Sequence, residues 1–195
     1  MRVSRGPRSF DPVRVGTLEC RAWATYYRRK WVALLVTSVA LVRAGFGMDW
    51  RRTLQGAWLV LRANQLWAPY PDNDPDGARR CMQRFYGLVS QASGETLDTE
   101  KAAELEVDWW RAHREAQHTP EASRADVVES LVRLYAFLYG VDPGQVRQAA
   151  ELRTEAMVVS DQWVAAGCDD ASPLLAKERA LLVGSFAALL AAVHR

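Results

Sequence analysis

Apolar side chains recur every three or four residues along most of the chain, which is the period of an amphipathic helix. The clearest segment runs from Asp98 to Gln117, where one apolar stripe is formed by Ala102, Leu105, Trp109, Ala112 and Ala116. No run of alternating apolar and polar residues in the sequence has the length of a strand. The pattern therefore predicts an all-α fold: a single-domain helical bundle of four long helices plus shorter connecting helices.

Caps and breaking residues divide the chain into its predicted helices. The first helix is predicted over residues 15–44, and its segment Trp31–Val42 is apolar on nearly all sides, as in a helix at the centre of a bundle. Residues 1–14 are basic and contain two prolines, so we interpret them as a flexible segment that precedes the domain, residues 15–195. Later helices are predicted to begin after side chains that cap helix N-termini: Asp49, Asp98 and Ser172.

The second helix is predicted from Asp49 to Trp67 and carries several large apolar residues. We place the following on its inner side: Leu54, Trp58, Leu59, Leu61 and Leu66. The segment after it, residues 72–77, has the spacing of the first half of a calcium-binding loop. Because the later ligand positions of such a loop are absent, we favour a helix start with Asp74 as N-cap and Pro75 as the first helical residue.

Composition limits the classes of partner. The 195 residues are 49% apolar and 25% charged, as expected for one soluble globular domain with a sizeable core. The net charge is only +2 and basic residues alternate with acidic ones, which argues against a nucleic-acid partner. The chain has 22 Arg and only 3 Lys, a bias that we attribute to a GC-rich, bacterial genome rather than to phosphate binding.

We also expect no membrane attachment and a cytoplasmic location. The longest apolar runs, Trp31–Val42 and Ala180–Val193, have 12 and 14 residues, whereas a membrane span needs about 20. The first thirty residues contain no apolar stretch of a secretory signal. The three cysteines, Cys20, Cys81 and Cys168, are far apart in the sequence, and we interpret them as free thiols in a reducing cytosol.

One series of side chains occurs twice: an acid, an indole four residues later, and a polar ring three residues after that. Its two copies are Glu19, Trp23, Tyr26 and Glu106, Trp110, His113. Seven residues are nearly two helical turns, so the acid and the ring of each copy face the same way, about 10 Å apart. In an antiparallel bundle these two rows face each other; the alternative is coincidence, with Glu106 paired to an arginine and His113 bonded to a carbonyl.

Facing rows of this kind predict an internal pocket for a small-molecule ligand. The 8 tryptophans, about three times average usage, fit an aromatic-lined cavity. We predict His113, Glu106 and Glu19 as catalytic residues, since a carboxylate beside an imidazole stabilises its protonated form in acid–base enzymes. The predicted ligand-binding residues are Trp23, Tyr26, Trp110, Glu155 and Trp163. The predicted function is a small-molecule-binding bundle or small acid–base enzyme of specialised metabolism, and its cofactor is unknown.

Glu106 and His113 form a Glu-x6-His spacing that resembles an element of some haem-oxygenase-like di-iron oxidases, and Glu19 is similar to the first-helix glutamate of ferritin-like bundles. The resemblance implies a metal-dependent oxidase, whose ligands here would be Glu19, Glu106, His113 and Glu155. The Glu-x-x-His element of ferritin-like sites is absent from the sequence. Apart from this resemblance, we therefore predict no metal site.

A non-enzymatic function is the main alternative. The tryptophans would then lie on an exposed seam of a helical adaptor, where they would contact a protein partner or a second copy in a homo-oligomer.

Overall fold

The computed structural model describes residues 6–119 and 123–194, and over these ranges the regular elements are eight α-helices. They are α1 (Pro12–Tyr27), α2 (Trp31–Phe46), α3 (Trp50–Trp67), α4 (Pro75–Ser93), α5 (Thr99–His118), α6 (Arg124–Tyr139), α7 (Pro143–Ala165) and α8 (Pro173–Val193). The predicted all-α fold is confirmed. The division into four long and several shorter helices is not confirmed, because all eight have between 16 and 23 residues.

The eight helices form a closed ring. Each helix packs against the helices before and after it in the chain, and α8 packs against α1. Short connections such as residues 28–30 and 140–142 make neighbouring helices antiparallel. The space inside the ring is lined by residues from all eight helices. None of the helices in the described ranges is both long and apolar enough to cross a membrane.

The helix starts agree with the predicted caps. The side chains of Asp49, Asp98 and Ser172 accept hydrogen bonds from backbone N–H groups in the first turns of α3, α5 and α8. Asp74 likewise accepts from the N–H of Gly77 at 2.7 Å, so residues 72–77 lead into a helix, as we favoured over a calcium loop. These bonds satisfy N–H groups that have no partner within the helix itself.

The helix predicted over residues 15–44 is two helices, α1 and α2. The chain turns back at residues 28–30, where Arg29 adopts the left-handed conformation with φ 56°. The helix α2 is therefore not central: it packs against α1 and α3 and leaves Val32 and Val36 80% and 65% exposed. The predicted inner side of α3 is also partly wrong, since Leu54 and Trp58 face solvent while Leu59 and Leu61 are buried.

The segment before α1 is tied to the ring. Arg8 forms an ion pair with Glu95 at 3.2 Å and donates a hydrogen bond to the carbonyl oxygen of Tyr139 at 2.9 Å. Phe10 packs edge-on against Phe186 of α8. The described part of the predicted flexible segment 1–14 is thus anchored by contacts, and its first five residues lie outside the described ranges.

The ring closes where α1 and α8 approach most closely, at Gly16. A Cβ atom at this position would lie 2.6 Å from the backbone nitrogen of Val183 and 2.9 Å from the carbonyl carbon of Leu182. Backbone atoms cannot move aside as a side chain can, so only glycine permits this contact.

We therefore expect Gly16→Ala to lower the free energy of unfolding by about 1–3 kcal/mol, the usual cost of overpacking. Urea denaturation measures the effect. Gly87→Ala is the matched control: this helical glycine has no atom within 4 Å of its Cβ position, so the alanine should raise the free energy of unfolding by up to about 1 kcal/mol. Equal stability of the two variants would contradict the close contact.

Candidate functional site

The ring encloses a cavity of about 310 Å³, at the lower end of the roughly 300–1,000 Å³ of ligand pockets. Most of its lining is aromatic or aliphatic, with a small number of charged side chains. Six of the eight predicted pocket residues line it: Glu19, Trp23, Tyr26, Glu106, Trp110 and His113. The structure thus brings both copies of the repeated series to one cavity.

The two series run in the same direction along the ring axis. At one level, Arg153 of α7 forms an ion pair with Glu19 of α1 and lies over the ring of Trp109 of α5. At the other level, Tyr27 of α1 and His113 of α5 both contact Asp161, eight residues further along α7. Because the order is the same on all three helices, α1, α5 and α7 are parallel, and the two series run side by side along the cavity.

Arg153 is the central group of the first level. Its side chain is 12% exposed and forms an ion pair with Glu19, while its Nη1 donates to the hydroxyl of Tyr135 at 2.8 Å. Its guanidinium also lies over the ring of Trp109, 5.0 Å from the centroid. Desolvation alone would lower the pKa of Arg153, but the charge of Glu19 and the hydroxyl of Tyr135 outweigh it and raise that pKa, so the guanidinium stays charged.

The two carboxyl groups of this level have different surroundings. Burial raises the pKa of Glu19, and the charge of Arg153 only partly opposes the rise. Glu106 instead accepts two hydrogen bonds, from the hydroxyl of Tyr86 at 2.7 Å and from the indole N–H of Trp110 at 3.2 Å. Burial, and then the neighbouring Glu106, raise the pKa of Tyr86 well above its usual value, so its hydroxyl remains a donor. Both carboxyl oxygens of Glu106 are therefore held in position.

Asp161 organises the second level. Its Oδ2 lies 3.1 Å from Nε2 of His113, and its Oδ1 accepts from the side-chain amide of Gln117 at 2.6 Å. The carboxylate that orients the imidazole is thus Asp161, and not Glu19 or Glu106 as we predicted. Gln117 is exposed and also lines the cavity, so the cavity approaches the surface at this end.

Four buried polar atoms of the cavity lining have no hydrogen-bond partner among residues 6–119 and 123–194. They are Oε2 of Glu19, Nε1 of Trp109, Nη1 of Arg114 and Nε of Arg153. A buried polar atom without a partner costs about 1–3 kcal/mol, more if it is charged. Three of these four unpartnered atoms are N–H donors, and only Oε2 of Glu19 is an acceptor.

Two predicted site residues are not among those lining the cavity. Trp163 is fully buried elsewhere in the ring, and its indole donates to the carbonyl oxygen of Asp169 at 2.7 Å. Glu155 forms an ion pair with Arg124 near the surface. It is two residues from Arg153, about 200° around α7, so an inward Arg153 turns Glu155 outward.

Sequence reasoning missed Arg153 and Asp161, although one signal for Arg153 was present. It occupies a polar position in a stripe of α7 whose other members are buried: Val146, Ala150, Met157 and Ser160. A charged residue at helical spacing within such a stripe is buried only when it has a partner. Asp161 lies beside this stripe and carries no comparable signal in the sequence.

The predicted metal-ligand set is not assembled. Within the described ranges, no three His, Cys, Asp or Glu side chains are placed so that they could hold a metal ion. Glu155 faces another way, and the positive charge of Arg153 lies beside Glu19 and Glu106. A guanidinium in this position opposes the binding of a cation by the two carboxylates.

No protein family, no curated protein and no solved structure matches this chain. The resemblance of the Glu106–His113 spacing to di-iron oxidases therefore gains no support from these comparisons. The function of the site has to be inferred from its geometry.

A second buried polar group lies between α1, α7 and α8, outside the cavity. Glu178 is fully buried beside Cys20 and Ser160. Burial raises the pKa of Glu178 to about 7, and the charges of Glu19 and Asp161 add to the rise. Burial and the charge of Glu178 raise the pKa of Cys20 to about 12, so this thiol is not a nucleophile.

Glu178 should make the protein less stable as the pH rises from about 4.5 to about 7. In this window the folded carboxyl group keeps its proton while the unfolded one loses it, so the unfolded state gains in relative stability. Glu178→Gln removes the titration, so we expect the variant to exceed the wild type in free energy of unfolding by roughly 3 kcal/mol at pH 8 and to match it near pH 4.

Urea denaturation at several pH values tests this expectation. Glu115→Gln makes the same change at an exposed position of α5, and its stability should follow the wild type at every pH. A constant difference between Glu178→Gln and the wild type would show that Glu178 does not titrate in this window.

Proposed function

We propose that this protein binds a small organic molecule in the cavity inside the helix ring. The observation that carries the proposal is the set of four unpartnered polar atoms around a mostly apolar cavity of about 310 Å³. Ligand pockets combine these same two properties: an apolar, aromatic lining and a small number of polar groups that fix orientation.

The order of the side chains along the cavity supports an oriented ligand. Glu19 and Arg153 form a polar level, Trp23 and Trp110 line the cavity one helical turn beyond Glu19 and Glu106, and His113 lies beside the exposed Gln117. Groups held by neighbouring side chains lose little conformational entropy when a ligand binds, which favours affinity.

Acid–base catalysis by His113 stays a prediction within this proposal. Asp161 faces Nε2 at 3.1 Å, and this contact supports an imidazole with a fixed orientation and a proton on Nε2. Glu106, whose two oxygens accept from Tyr86 and Trp110, is the carboxylate that we propose to hold these two side chains at the cavity wall rather than to transfer protons. The free thiols of Cys20, Cys81 and Cys168 support our proposal of a cytoplasmic location.

The uncharged fluorescent probe N-phenyl-1-naphthylamine tests for the pocket, because its emission increases in an apolar site. We expect saturable binding of one probe per chain. Gly45 lines the cavity and has no atom within 4 Å of its Cβ position, so Gly45→Phe should fill part of the cavity and weaken binding about tenfold or more.

Gly87→Phe is the matched control for this experiment. It places the same side chain at another helical glycine with open space around its Cβ position, away from the cavity lining. Its probe affinity should equal that of the wild type. Absence of saturable binding, or equal weakening by both substitutions, would refute the pocket.

A second function is favoured by an exposed apolar stripe on α3. Trp50, Leu54 and Trp58 recur every four residues and are 59%, 56% and 54% exposed. Exposed rows of large apolar residues mark interaction surfaces. The helix α3 carries Arg51, Arg52 and Arg62 and no acidic residue. Charge complementarity therefore favours an acidic protein partner over a second copy of this chain.

We propose on this basis that the stripe docks an acidic amphipathic helix. A synthetic helical peptide of leucine and glutamate should shift tryptophan emission to shorter wavelength, and Trp58→Ser should weaken its binding about tenfold. A peptide with glutamine in place of glutamate is the control and should bind more weakly. Equal affinity for both peptides would refute the charge argument, and a stable dimer in light scattering would identify a second copy as the occupant.

A further inference from the structure

Arg114 of α5 is the cation of the cavity that has no carboxylate partner among the described residues. The other cation, Arg153, is paired with Glu19, whereas none of the ion pairs within the described residues includes Arg114. Its Nη2 donates to the carbonyl oxygen of Trp67 at 3.2 Å, and its buried Nη1 has no partner among the described residues. A desolvated guanidinium N–H without an acceptor is costly, so the position favours an anionic occupant.

Aromatic rings hold Arg114 in place. Its guanidinium lies over the rings of Trp67 and Tyr70, 4.9 and 5.5 Å from their centroids. Burial raises the pKa of Tyr26, and the positive charge of Arg114 and a hydrogen bond from its side chain oppose this rise, so the Tyr26 hydroxyl lies beside the same cation. Stacking and the bond to Trp67 leave the guanidinium little freedom, and Nη1 is therefore preorganised.

The other unpartnered atoms also favour acceptor groups on the ligand. Nε1 of Trp109 and Nε of Arg153 are donors without partners in the described part of the chain, and only Oε2 of Glu19 is an acceptor. The indoles of Trp23 and Trp110 cover the space between these groups. A ligand that has an apolar body and an anionic group at one end matches this arrangement.

We infer that the ligand is an amphipathic organic monoanion, such as an aromatic carboxylate, whose anionic oxygen accepts from Nη1 of Arg114. The inference rests on the proposed pocket and adds the chemical class of its ligand. The apolar body of the ligand packs against the indoles, and the charged group binds the one cavity cation that the described part of the protein does not neutralise.

Two probes of similar shape separate the anion site from the pocket. N-phenyl-1-naphthylamine is uncharged, and 1-anilinonaphthalene-8-sulfonate has the same ring systems with one negative charge. We expect Arg114→Gln to lower the affinity for the anionic probe by about 10- to 100-fold, which corresponds to the energy of a charge-assisted hydrogen bond. The affinity for the uncharged probe should change by less than about threefold.

Three further variants complete the experiment. Arg111→Gln removes an exposed arginine from the same helix, where it is paired with Asp108, and should leave both affinities unchanged. Arg114→Lys keeps the charge and should restore part of the affinity for the anionic probe. Gly45→Phe should lower the affinity for both probes. This result would place the anionic probe in the cavity rather than on the basic surface of α3.

The outcomes are distinct for the pocket and for its ligand class. Unchanged affinity of Arg114→Gln for the anionic probe, while the uncharged probe binds, would overturn the anion site and leave the pocket intact. An equal loss of affinity for both probes in Arg114→Gln would show that Arg114 acts only through the structure around Trp67. Absence of saturable binding of either probe to the wild type would refute the pocket itself.

Discussion

The structure depends on one buried cation, the guanidinium of Arg153. Taking such a charge out of water costs several kcal/mol unless partners offset the loss of hydration. Glu19 supplies the counter-charge from α1, Tyr135 supplies a hydroxyl from α6, and the ring of Trp109 covers one face from α5. A single side chain of α7 therefore contacts three other helices of the ring, and rotation of α1 would leave its charge unpaired.

The same group borders the cavity at the centre of the ring. Arg153 ties α1 and α5 to α7, because it pairs with Glu19 and covers the ring of Trp109. The indoles of Trp23 and Trp110, one helical turn beyond Glu19 and Glu106, also line this cavity. The polar groups at the two levels are held by α7 through Arg153 and Asp161, eight residues apart on that helix.

The sequence was sufficient for the helical class, the main N-caps and six of the eight candidate pocket residues, because each follows from periodicity or from local hydrogen bonding. The turn at Arg29 could not be predicted, since it is a left-handed residue that is neither glycine nor proline. The outward orientation of Leu54 and Trp58 could not be predicted either. The helix α3 has apolar residues on more than one side, and their periodicity does not indicate which side packs against the neighbouring helices. The partner of His113 depends on tertiary contact between α5 and α7, which no local pattern encodes.

The closed ring has a consequence for how the chain folds. Nearly every interhelical contact joins elements adjacent in sequence, so most of the structure can assemble from local contacts at little loop-closure cost. The contact between α8 and α1 is the largest exception, because it joins the two ends of the described chain, and smaller contacts join α1 to α7 and α2 to α4. Before that contact forms, an open arc of helices has no enclosed interior. An occupant of the centre would bind only the closed arrangement, and its binding energy would therefore stabilise the last step of assembly.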